Sequence, residues 1–99
     1  MIVVRSVYIV TYDICEPKRL HDVYKTMRGY GDHIQYSVFR CELSAAERIR
    51  MIGDLVEVMD QVEDQVLIVL LGPAEGFAKD RIQAVGKPYL IPERHAVVV

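Results

Sequence analysis

The stretch IQYSVFRCEL, residues 34–43, decides the fold, because it lies between two predicted helices and can supply either one strand or two. Apolar and polar positions alternate along it, which predicts one continuous β-strand. One face would carry Gln35, Ser37, Phe39 and Cys41, and the other Ile34, Tyr36 and Val38. A single strand leaves the chain one strand short of a β-α-β-β-α-β order, whereas a bend within the stretch would complete that order.

Helical patterns flank this stretch on both sides. Upstream, Pro17 suits the first turn of a helix, and apolar residues recur at helical spacing to about residue 30. Downstream, Ser44 and Glu47 have the spacing of a capping box, which predicts the start of a second helix. The apolar face of that second helix would consist of Ile49, Ile52, Val56 and Met59.

Apolar runs predict the remaining strands. Residues 7–12, VYIVTY, and residues 65–72, QVLIVLLG, indicate strands covered on both faces, the second of them central in its sheet. A short strand is predicted near Arg81 to Val85. This order of elements predicts an α+β fold, a ferredoxin-like sheet with two helices on one face, in a single domain over residues 1–99.

The composition favours a homodimer. Hydrophobic residues make up 52% of the 99 positions, which is more than one compact domain of this size needs for its own core. The apolar end HAVVV, residues 95–99, follows the proline-containing segment KPYLIPE and has no evident partner strand. We therefore expect this C-terminal strand to be exchanged between protomers, so that each tail completes the partner's sheet. A frayed tail, or pairing within its own chain, is the alternative.

Several classes of protein are disfavoured. No apolar run approaches the roughly 18 residues of a membrane span, and the first residues lack the pattern of a signal peptide, so we expect a cytoplasmic protein. Cys15 and Cys41 do not form a CxxC motif and are expected to be reduced thiols. The three histidines lack the spacings of zinc sites.

Asp13 is the first candidate for chemistry, because it closes the apolar run VTYDI, residues 10–14. A carboxylate is costly to bury there, so it either caps the following turn or lies near a bound cation. A capping or turn role is the commoner explanation of a single aspartate at a strand end. In a two-fold dimer, however, two copies of Asp13 could approach one point on the axis and share a Mg²⁺ ion. Such an ion would promote attack of water on a phosphodiester.

Five segments together resemble a known family. They are VTYDI at 10–14, KRLHDVYKTMRGYG at 18–31, QYSVF at 35–39 followed by LS, VLIVLLG at 66–72 and VGKP at 85–88. Their combination is similar to the CRISPR-associated endoribonuclease that forms the second family of Cas proteins, known from the spacer-acquisition module. The resemblance covers nearly the whole chain, and no single segment would suffice for it.

The resemblance implies a ferredoxin-like homodimer in which Asp13 of each protomer is a ligand of one shared Mg²⁺ ion. It implies cleavage of single-stranded RNA or double-stranded DNA, in spacer acquisition and antiviral defence. It also implies a possible scaffold role beside the Cas integrase. By match to the family motif, Tyr12 and Phe39 would shape the site and Arg19 would contact a phosphate. His33 departs from the pattern, since the family resemblance leads us to expect a basic residue at that position.

The first helix carries a basic stripe, opposite its apolar residues. The stripe consists of Lys18, His21, Lys25 and Arg28. Together with the family resemblance it favours contact with a nucleic-acid backbone, which would be blind to base sequence. An ordinary solvated face is the alternative, because Asp22 interrupts the stripe and the formal net charge of the chain is −2. No run of interleaved aromatic and basic residues indicates a base-stacking platform.

Three functions follow as hypotheses. The leading one is a Mg²⁺-dependent endonuclease built on a symmetric dimer. The second is a non-catalytic DNA-binding scaffold for the integrase, and the third is a regulatory module that binds a small ligand, because this fold supports many functions.

Overall fold

The structure is a computed structural model that describes residues 3–76 and 81–89. Six elements follow one another in the order β-α-β-β-α-β. They are β1 (Ser6–Asp13), α1 (Pro17–Arg28), β2 (Asp32–Gln35), β3 (Val38–Leu43), α2 (Ala45–Val58) and β4 (Gln65–Pro73). The ferredoxin-like α+β fold is therefore confirmed.

The stretch IQYSVFRCEL is not one strand but lies mostly in a hairpin. β2 and β3 pair antiparallel across a turn at Tyr36 and Ser37, and the register shifts between His33 and Gln35. The prediction of one continuous strand was wrong because alternation continues across a short turn. This turn also lacks the Gly, Asn or Asp residues that usually identify a hairpin in a sequence. With two strands in this stretch, the β-α-β-β-α-β order is complete.

The described sheet has the strand order β2-β3-β1-β4, and all of its pairs are antiparallel. β1 lies between β3 and β4; its pairing with β3 ends at Thr11, opposite Val38, whereas its pairing with β4 continues to Asp13, opposite Gln65. β4 was predicted to be central, but within the described residues it forms an edge of the sheet. The unbroken apolar run suggested that both faces of β4 are buried. On the face away from the helices, however, Leu67 is 51% exposed and Val69 is 48% exposed.

The core lies between the sheet and one layer of two helices. Residues Val10, Tyr12, Phe39, Cys41 and Leu43 of the strands pack with Val23, Met27, Met51 and Leu55 of the helices. Each large side chain buried in this way contributes roughly 1.5–3 kcal/mol. The opposite face of the sheet is covered in part, because Val7 and Arg40 are buried there at 0% and 5% exposure, but other side chains on it remain accessible.

We call that opposite face the open face and define it by Ile9, Leu67 and Val69. Ile9 lies opposite Val69 in the register. Thr11, two positions further along β1 and on the same face, lies opposite Leu67. Asp13 follows with the same parity, at the end of β1. The open face therefore presents apolar side chains with a carboxylate at one end.

Two predictions concern the C-terminal part of the chain. The strand predicted at Arg81 to Val85 was wrong, because these residues form no strand in the structure. The Arg81 side chain instead donates a hydrogen bond of 2.9 Å to the carbonyl oxygen of Leu71. The exchanged strand at residues 95–99 lies outside the described residues. Among the residues described, no helix has the length and apolar character needed to cross a membrane.

Candidate functional site

Asp13 is exposed at the end of β1, opposite Gln65 of β4. Its carboxylate accepts no hydrogen bond from the described residues, and it does not cap α1. The N-cap of α1 is Glu16, whose side chain accepts from the backbone nitrogens of Lys18 at 2.7 Å and Arg19 at 3.1 Å. These two hydrogen bonds hold the pKa of Glu16 below its ordinary value. The capping explanation of Asp13 is therefore removed.

A metal ion at Asp13 would need more than this carboxylate. The described residues contain no group of three or more His, Cys, Asp or Glu side chains that could hold a metal ion. Mg²⁺ takes one or two protein carboxylates and keeps several waters. An exposed, uncommitted carboxylate fits that requirement as one such ligand.

Asp64 lies beneath the loop that follows Asp13, and its side chain is 0% exposed. It accepts from Nε of Arg19 at 2.8 Å and from Nη2 at 3.2 Å, which is a bidentate ion pair. It also accepts from the backbone nitrogens of Cys15 at 3.0 Å and Asp60 at 2.9 Å. Chiefly because of Arg19, the pKa of Asp64 lies well below its usual range.

This buried carboxylate joins three parts of the fold. It connects the loop after β1, through Cys15, to the first turn of α1, through Arg19, and to the turn before β4, through Asp60. The Arg19 side chain is thus committed to a structural ion pair, with its Nη1 also 3.7 Å from a carboxylate oxygen of Glu16. Contact of Arg19 with a phosphate stays a prediction.

Tyr12 and Phe39 lie on the helix-facing side of the sheet, opposite to Asp13. Tyr12 is buried, which raises its pKa, and its ring stacks on Phe39 with 6.2 Å between centroids. The rings of Tyr24 and His33 lie 5.8 Å and 5.0 Å from Phe39. These contacts hold the end of β1 against α1 and the hairpin, so any effect on Asp13 is indirect.

The basic stripe lies on exposed positions of α1. Lys18, His21, Lys25 and Arg28 are all exposed. The Lys18 ammonium is 3.8 Å from the carboxylate of Asp22, and the guanidinium of Arg28 lies 5.8 Å from the centroid of the Tyr24 ring. The helix therefore presents cations to solvent beside the aromatic residues.

Sequence reasoning missed Asp64. The segment DQVED offers three acids at 60–64, and nothing in their types or spacing distinguishes the one that is buried. Only the fold shows that Asp64 faces Arg19, which is 45 positions away.

Comparison with known proteins identifies the family. The family model described as CRISPR associated protein Cas2 matches residues 6–76. This chain belongs to the Cas2 family. A Cas2 endoribonuclease from Rhodospirillum rubrum is 42% identical over 93% of this chain and 89% of its own length. A second, from Geobacter sulfurreducens, is 41% identical over 93% of this chain and 96% of its own length.

Solved structures agree with the assignment to Cas2. The crystal structure of Cas2 from Streptococcus pyogenes has a TM-score of 0.70 and 32% identity, covering 81% of this chain and 99% of that one. A hypothetical protein from Thermus thermophilus, TT1823, has a TM-score of 0.73 and 25% identity, covering 90% of this chain and 99% of that one. The family resemblance deduced from the five segments is confirmed.

Proposed function

We propose that this chain is a Mg²⁺-dependent endoribonuclease that works as a homodimer. The observation that carries the proposal is Asp13, an exposed carboxylate without a capping role at the apolar open face of the sheet. The curated relatives from Rhodospirillum rubrum and Geobacter sulfurreducens are named endoribonucleases, which supports RNA as the substrate. Cleavage of double-stranded DNA, and a place in spacer acquisition and antiviral defence, belong to the same proposal.

The dimer forms through the open face. Packing two open faces together removes Ile9, Leu67 and Val69 from water and brings the two Asp13 carboxylates toward the two-fold axis. The edge of β4 gives a strand from the partner a place to pair, which supports the exchange of residues 95–99.

Three groups of side chains would contribute to phosphodiester hydrolysis. Asp13 of both protomers would hold Mg²⁺, which when bound would supply charge neutralisation and a more acidic water. Asp64 and Arg19 fix the loop that follows Asp13, so that the carboxylate keeps its position. Lys18, Lys25 and Arg28 bind the phosphate backbone, which orients it for attack.

The test is cleavage of a labelled single-stranded RNA by wild type and Asp13→Asn, with Mg²⁺ titrated. Asparagine keeps the size of the side chain but lacks the charge, so we expect cleavage to fall by about 100-fold or more. Dimerisation and RNA binding should stay near wild type. Glu57→Gln, the same change at an exposed position on α2, should cleave normally. Metal-stimulated cleavage that persists in Asp13→Asn refutes the proposed role.

The exposed cations of α1 favour a second candidate function, a non-catalytic DNA-binding scaffold beside the Cas integrase. Contacts with phosphates need neither Asp13 nor a metal. The scaffold therefore predicts duplex binding by Asp13→Asn without nicking. The affinity should weaken with salt by a logarithmic slope of about 0.9 per phosphate contact.

A further inference from the structure

A groove of about 370 Å³ lies between α1 and the turn of the β2–β3 hairpin, at the same end of the sheet as Asp13. Its lining is Tyr12, Pro17, Leu20, His21, Tyr24, Tyr36 and Ser37. The volume falls in the range of small-ligand sites, roughly 300–1,000 Å³. The walls combine three phenol rings with an imidazole, although these residues are scattered over the sequence. The fold thus assembles an aromatic site that no sequence run indicated.

Tyr36 is the most unusual residue of this groove, because its side chain is 94% exposed. A hairpin turn favours Gly, Asn or Asp, so neither the turn nor the core explains a large ring at this position. The turn is braced, because the His33 ring hydrogen-bonds the carbonyl oxygen of Tyr36. The backbone of the turn is therefore held in place, and the ring projects from it into solvent.

The surroundings of the groove favour a polyanion. Lys18, Lys25 and Arg28 lie on the same helix as the groove residues Leu20, His21 and Tyr24. Arg28 also donates a hydrogen bond of 3.2 Å to the Tyr24 hydroxyl, which anchors one cation at the groove. The acid on this part of the helix, Asp22, is paired with Lys18. Phosphates could follow the cations while an attached ring enters the groove.

The groove and Asp13 are linked through the backbone. The Tyr12 nitrogen donates a hydrogen bond of 3.1 Å to the carbonyl oxygen of Ser37, so the end of β1 is fastened to the hairpin turn. A nucleotide bound at Tyr36 would thus lie near the end of β1, on the face opposite to the one that carries the Asp13 side chain.

We propose that this groove binds an unpaired nucleobase, which stacks on the Tyr36 ring while α1 holds the adjoining phosphates. The inference rests on the proposed function and adds a subsite to it: single-stranded nucleic acid gains a stacking contact that a paired duplex cannot make. Aromatic stacking is indifferent to base identity, so the subsite does not select a sequence.

The test is a binding titration in EDTA, by fluorescence anisotropy, with three probes of equal length. They are a single-stranded oligouridylate, the same backbone with abasic positions, and a blunt duplex. Tyr36→Ala should weaken oligouridylate binding by roughly tenfold and leave the abasic and duplex probes unchanged. Tyr36→Phe should retain wild-type binding, because the ring remains. Val62→Ala, at a position 91% exposed and outside the groove, is the matched control.

The outcomes distinguish this subsite from the nuclease proposal, because binding in EDTA does not depend on cleavage. If Tyr36→Ala binds the oligouridylate as tightly as wild type does, the subsite alone is overturned. The subsite is also overturned if Tyr36→Ala loses the same affinity for all three probes. The expected loss in Tyr36→Ala, together with undiminished cleavage by Asp13→Asn, supports the subsite and refutes the catalytic role. A wild-type protein that binds none of the probes overturns the subsite, whereas the nuclease proposal is decided by the cleavage assay with Mg²⁺.

Discussion

At the scale of single residues, the contrast between Asp13 and Asp64 separates function from structure. Asp64 is buried and accepts hydrogen bonds from Arg19, Cys15 and Asp60, so its charge serves the fold. Asp13 is exposed and serves neither the core nor the helix cap. A carboxylate without a structural partner is the better candidate for binding a substrate or a cation.

Asp64→Asn should destabilise the protein at neutral pH, because the partly buried guanidinium of Arg19 loses its nearest carboxylate and keeps that of Glu16, at 3.7 Å. We expect the melting temperature at pH 7 to fall by about 10 °C. The folded state depresses the pKa of Asp64, so its stabilisation is present above the unfolded value of about 3.9 and is lost as the pH falls through the folded value. The difference between wild type and Asp64→Asn should therefore narrow below about pH 4.

The measurement is thermal unfolding followed by circular dichroism at pH 7 and at pH 3. Glu63→Gln is the matched control, because Glu63 is the exposed neighbour and uses only its backbone oxygen in the contact with Cys15. The control should melt as wild type does. An Asp64→Asn variant that melts at the wild-type temperature at pH 7 would show that the ion pair contributes nothing.

At the scale of elements, local signals in the sequence predicted where the helices begin. Pro17 begins α1, and the capping box of Ser44 and Glu47 begins α2 as predicted. The predicted buried face of α2 was wrong, because Met51 and Leu55 are buried whereas Ile49 is 65% exposed and Val56 is 41% exposed. Residues 34–43 were predicted to form one strand, which was wrong because a turn at Tyr36 and Ser37 preserves the alternation on either side. β4 was misplaced in the sheet, since strand order depends on contacts between distant residues.

The candidate site was less accessible to sequence reasoning than the fold. Asp13 stood out because an acid ends an apolar run, but only the family resemblance favoured a metal ligand over a turn role. The groove at Tyr36 depends on packing the hairpin turn against α1, and the Asp64 ion pair depends on packing the turn before β4 against α1. Neither contact has a local signature, because its partners are distant in the chain.

Two glycines at different elements should respond oppositely to alanine. At Gly31, before β2, a Cβ atom would lie 2.4 Å from the carbonyl oxygen of Arg40 and 2.5 Å from Sγ of Cys41. Gly31→Ala should therefore cost about 1–3 kcal/mol of stability. At Gly53, inside α2, a Cβ atom would meet nothing within 4 Å. Gly53→Ala should stabilise by about 0.5–1 kcal/mol.

Urea denaturation of both variants checks this pair. The two substitutions add the same methyl group, so any difference in the free energy of unfolding reports the surroundings. If Gly31→Ala unfolds at the wild-type midpoint, the close approach between residue 31 and β3 is wrong.

At the scale of the whole molecule, the sheet is covered unequally. The helices cover one face, whereas Leu67 and Val69 remain about half exposed on the open face. A protein of this size gains from removing such a surface from water, and a second copy offers a surface of the same character. The proposed dimer would thus bury the exposed apolar residues of the open face and bring the two Asp13 side chains together.

Leu67→Glu should convert the dimer into a monomer, because it would place two charges in an apolar interface. Leu70→Glu is the matched control on the same strand. Leu70 is also exposed, at 62%, but it lies opposite Tyr8 and so belongs to the helix-facing side. Light scattering after gel filtration should give the mass of a monomer for Leu67→Glu and of a dimer for Leu70→Glu.

The same two variants link assembly to activity. If each protomer supplies one Asp13 to a shared ion, the monomeric Leu67→Glu protein should lose Mg²⁺-dependent RNA cleavage although its own Asp13 is intact. Leu70→Glu should cleave as wild type does. Full cleavage by a monomer would contradict the shared site, because one protomer would then suffice. A Leu67→Glu protein that remains dimeric would instead place the interface on another surface.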